Sequence, residues 1–169
     1  VGELLLDAKQ KGCRHILLGI GGRATNDAGI GVLSALGATF FDSENKELSP
    51  VGGNLTKVSR IDASGMKDVL SGITVDVICD VSNPLFGNNG AAFVYAKQKG
   101  ASDSDVEELD KGLRNFAQVM CAYGWLADAN TAGAGAAGGL GYGFLLLGAT
   151  LKKGVDVVLD AANLNNHLI

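Results

Sequence analysis

The sequence predicts an α/β domain with a mainly parallel sheet and flanking helices. Short apolar runs of strand character stand at 15–20, 38–42 and 74–81. Helix-periodic segments separate and follow them, and Gly-, Asn- and Pro-rich turns mark the changes from one to the other. Strands that alternate with helices in this way define the class.

Each element follows from its residues. GELLLDAKQK (2–11) suits a helix closed by Gly12, with Lys9 and Lys11 in its last turn. HILLGI (15–20) is a continuous apolar run and predicts a buried strand. Residues 27–36 suit a helix and ATFFD (38–42) a second strand. The stretch 43–66 holds no sustained period and predicts short pieces and turns. TVDVICDV (74–81) is β-branched and alternates around Asp76, and SNPLFGNNG (82–90) is a loop. Ser104 and Glu107 read as a capping box for a helix in which Val106, Leu109, Leu113, Phe116, Val119, Met120 and Tyr123 recur at helical spacing. That helix should end near Gly124, and Gly112 inside it costs about 1 kcal/mol relative to Ala. The Gly/Ala run from Thr131 leads into an apolar segment, read as a loop feeding a buried helix. VDVVLDAANLNNHL closes the chain as another helix.

Composition narrows the function classes. The 169 residues make one domain's worth, with 47% hydrophobic and 19% charged residues, too apolar and too weakly charged for disorder. Net charge is −4 without a basic block, which argues against nucleic acid and anionic membrane as partners. Cys13, Cys79 and Cys121 are widely spaced in apolar contexts and read as buried free thiols of a reducing compartment. His15 and His167 are too few for a histidine metal site. No signal peptide opens the sequence and no apolar run reaches the roughly 18 residues of a spanning helix, so a cytoplasmic domain is expected.

The segment LLGIGGRATNDAGIG (17–31) admits three readings. Gly19-x-Gly21-x-x-Ala24 follows a strand, and Asp42 stands 23 residues after Gly19 (42 − 19), the order of parts in a Rossmann oxidoreductase domain. A plain turn is the second reading, with Asn26 or Asp27 capping the helix. The third joins them: backbone N–H groups of a glycine turn form an anion site, and a neighbouring carboxylate holds a metal or takes a hydroxyl proton. No Walker-type Gly-Lys-Ser/Thr sequence occurs. Asp80 ends a strand, where open α/β sheets place their ligands, or else forms an Asx turn before Pro84. The run Gly133–Gly139 could wrap a phosphate but fits close helix packing better.

Three segments in one order add a resemblance. GIGGRATNDAGIGVLSALGATFFD, CDVSNPLFGNNGAAFVYAKQKGA and GAGAAGGLGYG with LKKGVDVVLDAANL together resemble the bacterial type I glycerate kinases, over essentially the whole chain. The resemblance implies phosphorylation of D-glycerate by ATP with Mg²⁺, in a two-domain α/β fold. It implies that Gly21, Gly22 and Ala24 cradle a phosphate or the glycerate carboxylate, with Arg23, Thr25 and Asn26 beside them. Asp27 or Asp80 then orients Mg²⁺ or accepts the hydroxyl proton, and Asn83 shapes the opposite wall. Arg23 stands where the family usually has serine, and Ala96-Lys97-Gln98-Lys99-Gly100-Ala101 where it has Gly-Pro-Gln-Lys-Gly-Ala. Residues 1–169 resemble the embedded second domain, so the remainder of a kinase chain is the expected partner. By itself the segment is expected to be inactive, a binding module contributing half a cleft.

Overall fold

The computed structural model describes residues 1–22 and 25–162. Arg23 and Ala24 lie outside the described residues, as do 163–169, which include His167 and the last residues of the segment expected as a closing helix.

Three parallel strands form the central sheet in the order β1 (His15–Gly19), β4 (Thr74–Ile78), β5 (Thr150–Lys152). His15 pairs with Thr74 and Gly19 with Ile78, so β1 and β4 end level with each other. Strand β2 (Thr39–Phe41) is not part of this sheet. It pairs antiparallel with β3 (Arg60–Asp62) in a separate ribbon. That separates the fold from the Rossmann reading, in which the acid-bearing second strand lies parallel beside the first. Asp42 instead accepts hydrogen bonds from the Glu44 and Lys46 backbone N–H groups, both at 2.9 Å, and so closes a tight turn.

Central strand β4 buries Val75 and Val77, whereas β1 alternates between half-buried and exposed. The apolar run HILLGI therefore misled as to burial, since Leu17 is 51% exposed and β1 is an edge strand. Between Val75 and Val77, buried Asp76 accepts from Lys152 Nζ at 2.7 Å and pairs with His15 Nε2 at 2.8 Å. Those bonds, with Lys152 the stronger cause, hold its carboxyl below the usual range. Cysteine burial was also misjudged: Cys13 and Cys121 are exposed and Cys79 is partly covered, all three unpaired.

Among the described residues six helices pack around these strands: α1 (Gly2–Gln10), α2 (Ile30–Ala35), α3 (Ala91–Tyr95), α4 (Asp103–Ala122), α5 (Ala136–Leu146) and α6 (Gly154–Ala161). Helix α4 turns Leu113, Phe116 and Met120 inward, and Phe116 meets Phe40 with ring centroids 5.7 Å apart. Asn115 Nδ2 donates to the Leu55 and Val58 carbonyls, both at 2.8 Å, which ties α4 to the 3₁₀ turn Gly52–Lys57. The capping box is real but sits two residues before the expected one. Ser102 is the N-cap and Asp105 its reciprocal partner. No described helix is long and apolar enough to cross a membrane.

Helix α5 is nearly all core, with Leu140, Tyr142, Phe144 and Leu146 buried. Its first turn is broken by positive φ at Ala137 (54°), Gly138 (74°) and Gly139 (90°). A Cβ on Gly138 would lie 1.9 Å from the Thr25 carbonyl oxygen, so only glycine fits there. Gly138 O in turn accepts from the N–H groups of Asp27 and Ala28 at 3.0 and 3.1 Å. The Gly/Ala run thus works by close packing, and what it packs is the segment after the first glycine turn.

Candidate functional site

Because β1 and β4 are parallel neighbours in register, the residues after them emerge side by side. Gly21 and Gly22 follow β1, and Asp80 follows β4. Together with Ile20, Cys79, Val81, Tyr95, Lys99 and Ala137 they line a cavity of about 390 Å³ at the carboxyl ends of the strands. A Cβ added at Gly19, Gly21 or Gly22 would meet nothing within 4 Å. These glycines are therefore not set by packing, unlike Gly138, although Gly22 needs its freedom for a φ of 69°. Bare backbone facing open space at a strand end leaves room for close approach of a ligand.

Asp80 is held in place by the chain that follows β5. Its Oδ1 accepts from the Gly154 N–H at 2.7 Å, at the start of α6. The Asx turn before Pro84 is not what this carboxylate does. Asn83 does not line the cavity. It accepts a 2.5 Å hydrogen bond from the Tyr95 hydroxyl on its Oδ1, and its Nδ2 donates to Asn89 O at 2.8 Å. Asn83 thus fixes Tyr95, which forms the wall. Burial raises the Tyr95 phenol and the Cys79 thiol above their ordinary values, so both are neutral at pH 7.

Thr25, Asn26 and Asp27 line a second compartment of about 380 Å³, with Pro50, Val51, Gly52, Ala96 and Leu109. The three residues are threaded between glycines. A Cβ on Gly52 would come within 2.2 Å of the Asn26 carbonyl, and Gly138 closes the other side. Asn26 is 8% exposed, and neither its Oδ1 nor its Nδ2 has a hydrogen-bond partner among the described residues. Asp27 Oδ1 accepts from the Gly29 N–H at 2.9 Å, which turns the chain into α2. Helix α2 accordingly starts at Ile30, not at residue 27, with Gly29 as its N-cap at φ 75°.

One side chain belongs to both compartments. Lys99 lines each of them, and its Nζ donates to the Thr25 carbonyl at 2.6 Å. Burial lowers its ammonium from the ordinary value, while Asp27 acts the other way. Neither Lys99 nor Tyr95 was singled out from the sequence. The signal for Lys99 was its place in Gln98-Lys99-Gly100-Ala101, which keeps the Gln-Lys-Gly-Ala of the segment the resemblance expects there. Arg23 lies outside the described residues, so its side chain has no place in this geometry.

The fold is an α/β one in which a glycine turn and a carboxylate meet at adjoining strand ends, where open α/β sheets bind their ligands. The glycerate kinase family model matches residues 1–169, and the chain belongs to that family. It is 43% identical over 168 residues to glycerate 2-kinase of Escherichia coli, covering 99% of this chain and 44% of that protein. Identity to a glycerate kinase of Bacillus cereus is 42% over 168 residues, with the same coverage of 99% and 44%. A solved structure named for glycerate kinase 2 of Salmonella typhimurium superposes with a TM-score of 0.90 at 40% identity. It is matched over 96% of this chain and 44% of that one. The chain thus spans less than half the length of these relatives.

Proposed function

We propose that this chain carries one wall of the active site of an ATP-dependent glycerate kinase, which forms a phosphoglycerate and ADP. The observation that carries the reading is the cavity shared by Gly21, Gly22 and Asp80, where unpacked backbone and a carboxylate meet at the ends of β1 and β4. Family membership supplies the substrate class. Phosphoryl transfer needs positioning and charge neutralisation more than covalent chemistry; the glycine backbone would supply the first, and a cation held at Asp80 the second.

In this reading the Gly21–Gly22 backbone approaches phosphate oxygens closely, and Tyr95, fixed by Asn83, closes the wall. Thr25, Asn26 and Asp27 sit beside the acceptor. Among the described residues no three His, Cys, Asp or Glu side chains gather as a metal cage. Magnesium bound largely through substrate phosphates needs only one or two protein carboxylates, and Asp80 beside the glycine turn fits that role. Once bound it would neutralise phosphate charge. The ATP requirement implies a cytoplasmic setting, with which three unpaired cysteines agree.

The test is a coupled assay on the protein that carries this sequence, with D-glycerate, ATP and Mg²⁺. Glycerate-dependent ADP release is expected. A nicotinamide cofactor titrated into the same protein should leave its Trp125 fluorescence unchanged, because β2 pairs with β3 outside the β1 sheet and Asp42 closes its own turn.

A further inference from the structure

Lys97 and Lys99 lie two residues apart in one 3₁₀ turn but in different surroundings. Lys97 forms a 2.5 Å ion pair with Asp103 at the surface, and both partners are well exposed. Lys99 is half-buried, lines both compartments, and donates from its ammonium to the Thr25 carbonyl, with the Asp27 carboxylate also acting on it. Burying an ammonium costs free energy unless an anion offsets it. One compartment has the glycine turn and Asp80. The other has Thr25, Asp27 and the Asn26 carboxamide, whose donor and acceptor are both without partners among the described residues. A cation shared by two such compartments is placed where a group would pass from one to the other.

We propose that Lys99 is a catalytic residue that binds the phosphoryl group in transit between a nucleotide compartment at Gly21, Gly22 and Asp80 and a hydroxy-acid compartment at Thr25, Asn26 and Asp27. This rests on the kinase reading and assigns its two substrates to two sides of one lysine. In the step itself, the acceptor hydroxyl oxygen forms a bond to the γ-phosphorus. The bond from that phosphorus to the β,γ-bridging oxygen breaks, and its electron pair leaves on ADP. The hydroxyl proton passes to the Asp27 carboxylate and then to solvent. Lys99 stays protonated throughout and holds the equatorial oxygens.

Three variants separate this role from that of a strap on the Thr25 carbonyl. Lys99→Gln keeps an N–H donor for that carbonyl but removes the charge, Lys99→Met removes both, and Lys99→Arg keeps the charge. Loss of one transition-state donor is expected to lower kcat about 100-fold in both neutral variants, with the glycerate KM changed less than about threefold. Arg should recover at least about tenfold of that kcat. Calorimetry with inorganic tripolyphosphate, which needs no turnover, should show binding to the parent and at least about tenfold weaker binding to Lys99→Gln. A Lys99→Gln variant with parental kcat and tripolyphosphate affinity would overturn the proposal and leave only the strap. Absence of tripolyphosphate binding by the parent would overturn it as well. If the parent binds tripolyphosphate through Lys99 but turns over no glycerate, the substrate reading fails while the anion site stands.

Discussion

Asp80 does two things at once, and they can be separated by measurement. Its carboxylate lines the cavity and also accepts from the first N–H of α6. Losing such a helix-terminal bond costs about 1 kcal/mol, which lowers Tm by only about 2–4 °C in a protein of this size. Asp80→Asn should therefore melt close to the parent, yet lose about 100-fold or more in kcat if the carboxylate acts on the phosphates. A large Tm drop with unchanged turnover would make it a cap alone. Tyr142 gives a pH prediction at the same scale. Burial pushes its phenol up to about 12, against about 10 unfolded. A raised folded value gives stability that is present below pH 10 and lost as the pH rises towards 12. Urea melts of Tyr142→Phe should show a flatter loss over that window than the parent. Asp76 has the opposite sign. Its carboxyl is held low by Lys152 first and His15 second, so its contribution is present above about pH 4 and lost on acidification. At this scale the glycines and Asp80 were legible because their types and order match a recognisable chemistry. Tyr95 and Lys99 were not, since a short helix and a 3₁₀ turn carry no pattern that predicts where a side chain ends.

At the scale of the element, signal strength followed length. The twenty residues of α4 repeat their apolar positions five turns running, and the helix stands where that period put it. Its cap was misread by two residues because Ser102 and Ser104 each stand three residues before an acid, Asp105 and Glu107. Only the pair at Ser102 bonds reciprocally. Ser102→Ala should cost about 1 kcal/mol, readable in a chemical melt, and Ser104→Ala much less. Strands β3 and β5 have three residues each, too few for an alternation to register, and were not assigned. The break at the start of α5 was visible as a glycine run, but its partner was not. Gly138→Ala puts a methyl onto the Thr25 carbonyl and strains a φ of 74°, so it should destabilise by about 3 kcal/mol or more. The same change at Gly21, where a Cβ meets nothing within 4 Å, should leave Tm nearly unchanged.

Across the whole molecule, the decisive fact is which strand lies beside which. Local sequence order left the first glycine turn open to three readings, a dinucleotide site, a plain turn and another anion site. Strand pairing separates the two, because β2 leaves the sheet for β3 and β4 takes the place next to β1. That exchange brings Asp80, 61 residues after Gly19 (80 − 19), to the glycine turn and leaves Asp42 closing a turn beside the separate β2–β3 ribbon. Long-range pairing of this kind follows from the burial of β4, which no local window reports. The central claim is that the β1–β4 strand ends hold the phosphates of ATP for transfer to glycerate. Phosphorus NMR of the protein carrying this sequence, mixed with ATP, Mg²⁺ and D-glycerate, tests it most directly alongside Asp80→Asn and Asp42→Asn. The account predicts one new phosphomonoester signal growing in step with ADP, unaltered by Asp42→Asn and suppressed by Asp80→Asn. A phosphomonoester formed equally fast by Asp80→Asn, or ATP left intact by the parent, would contradict it.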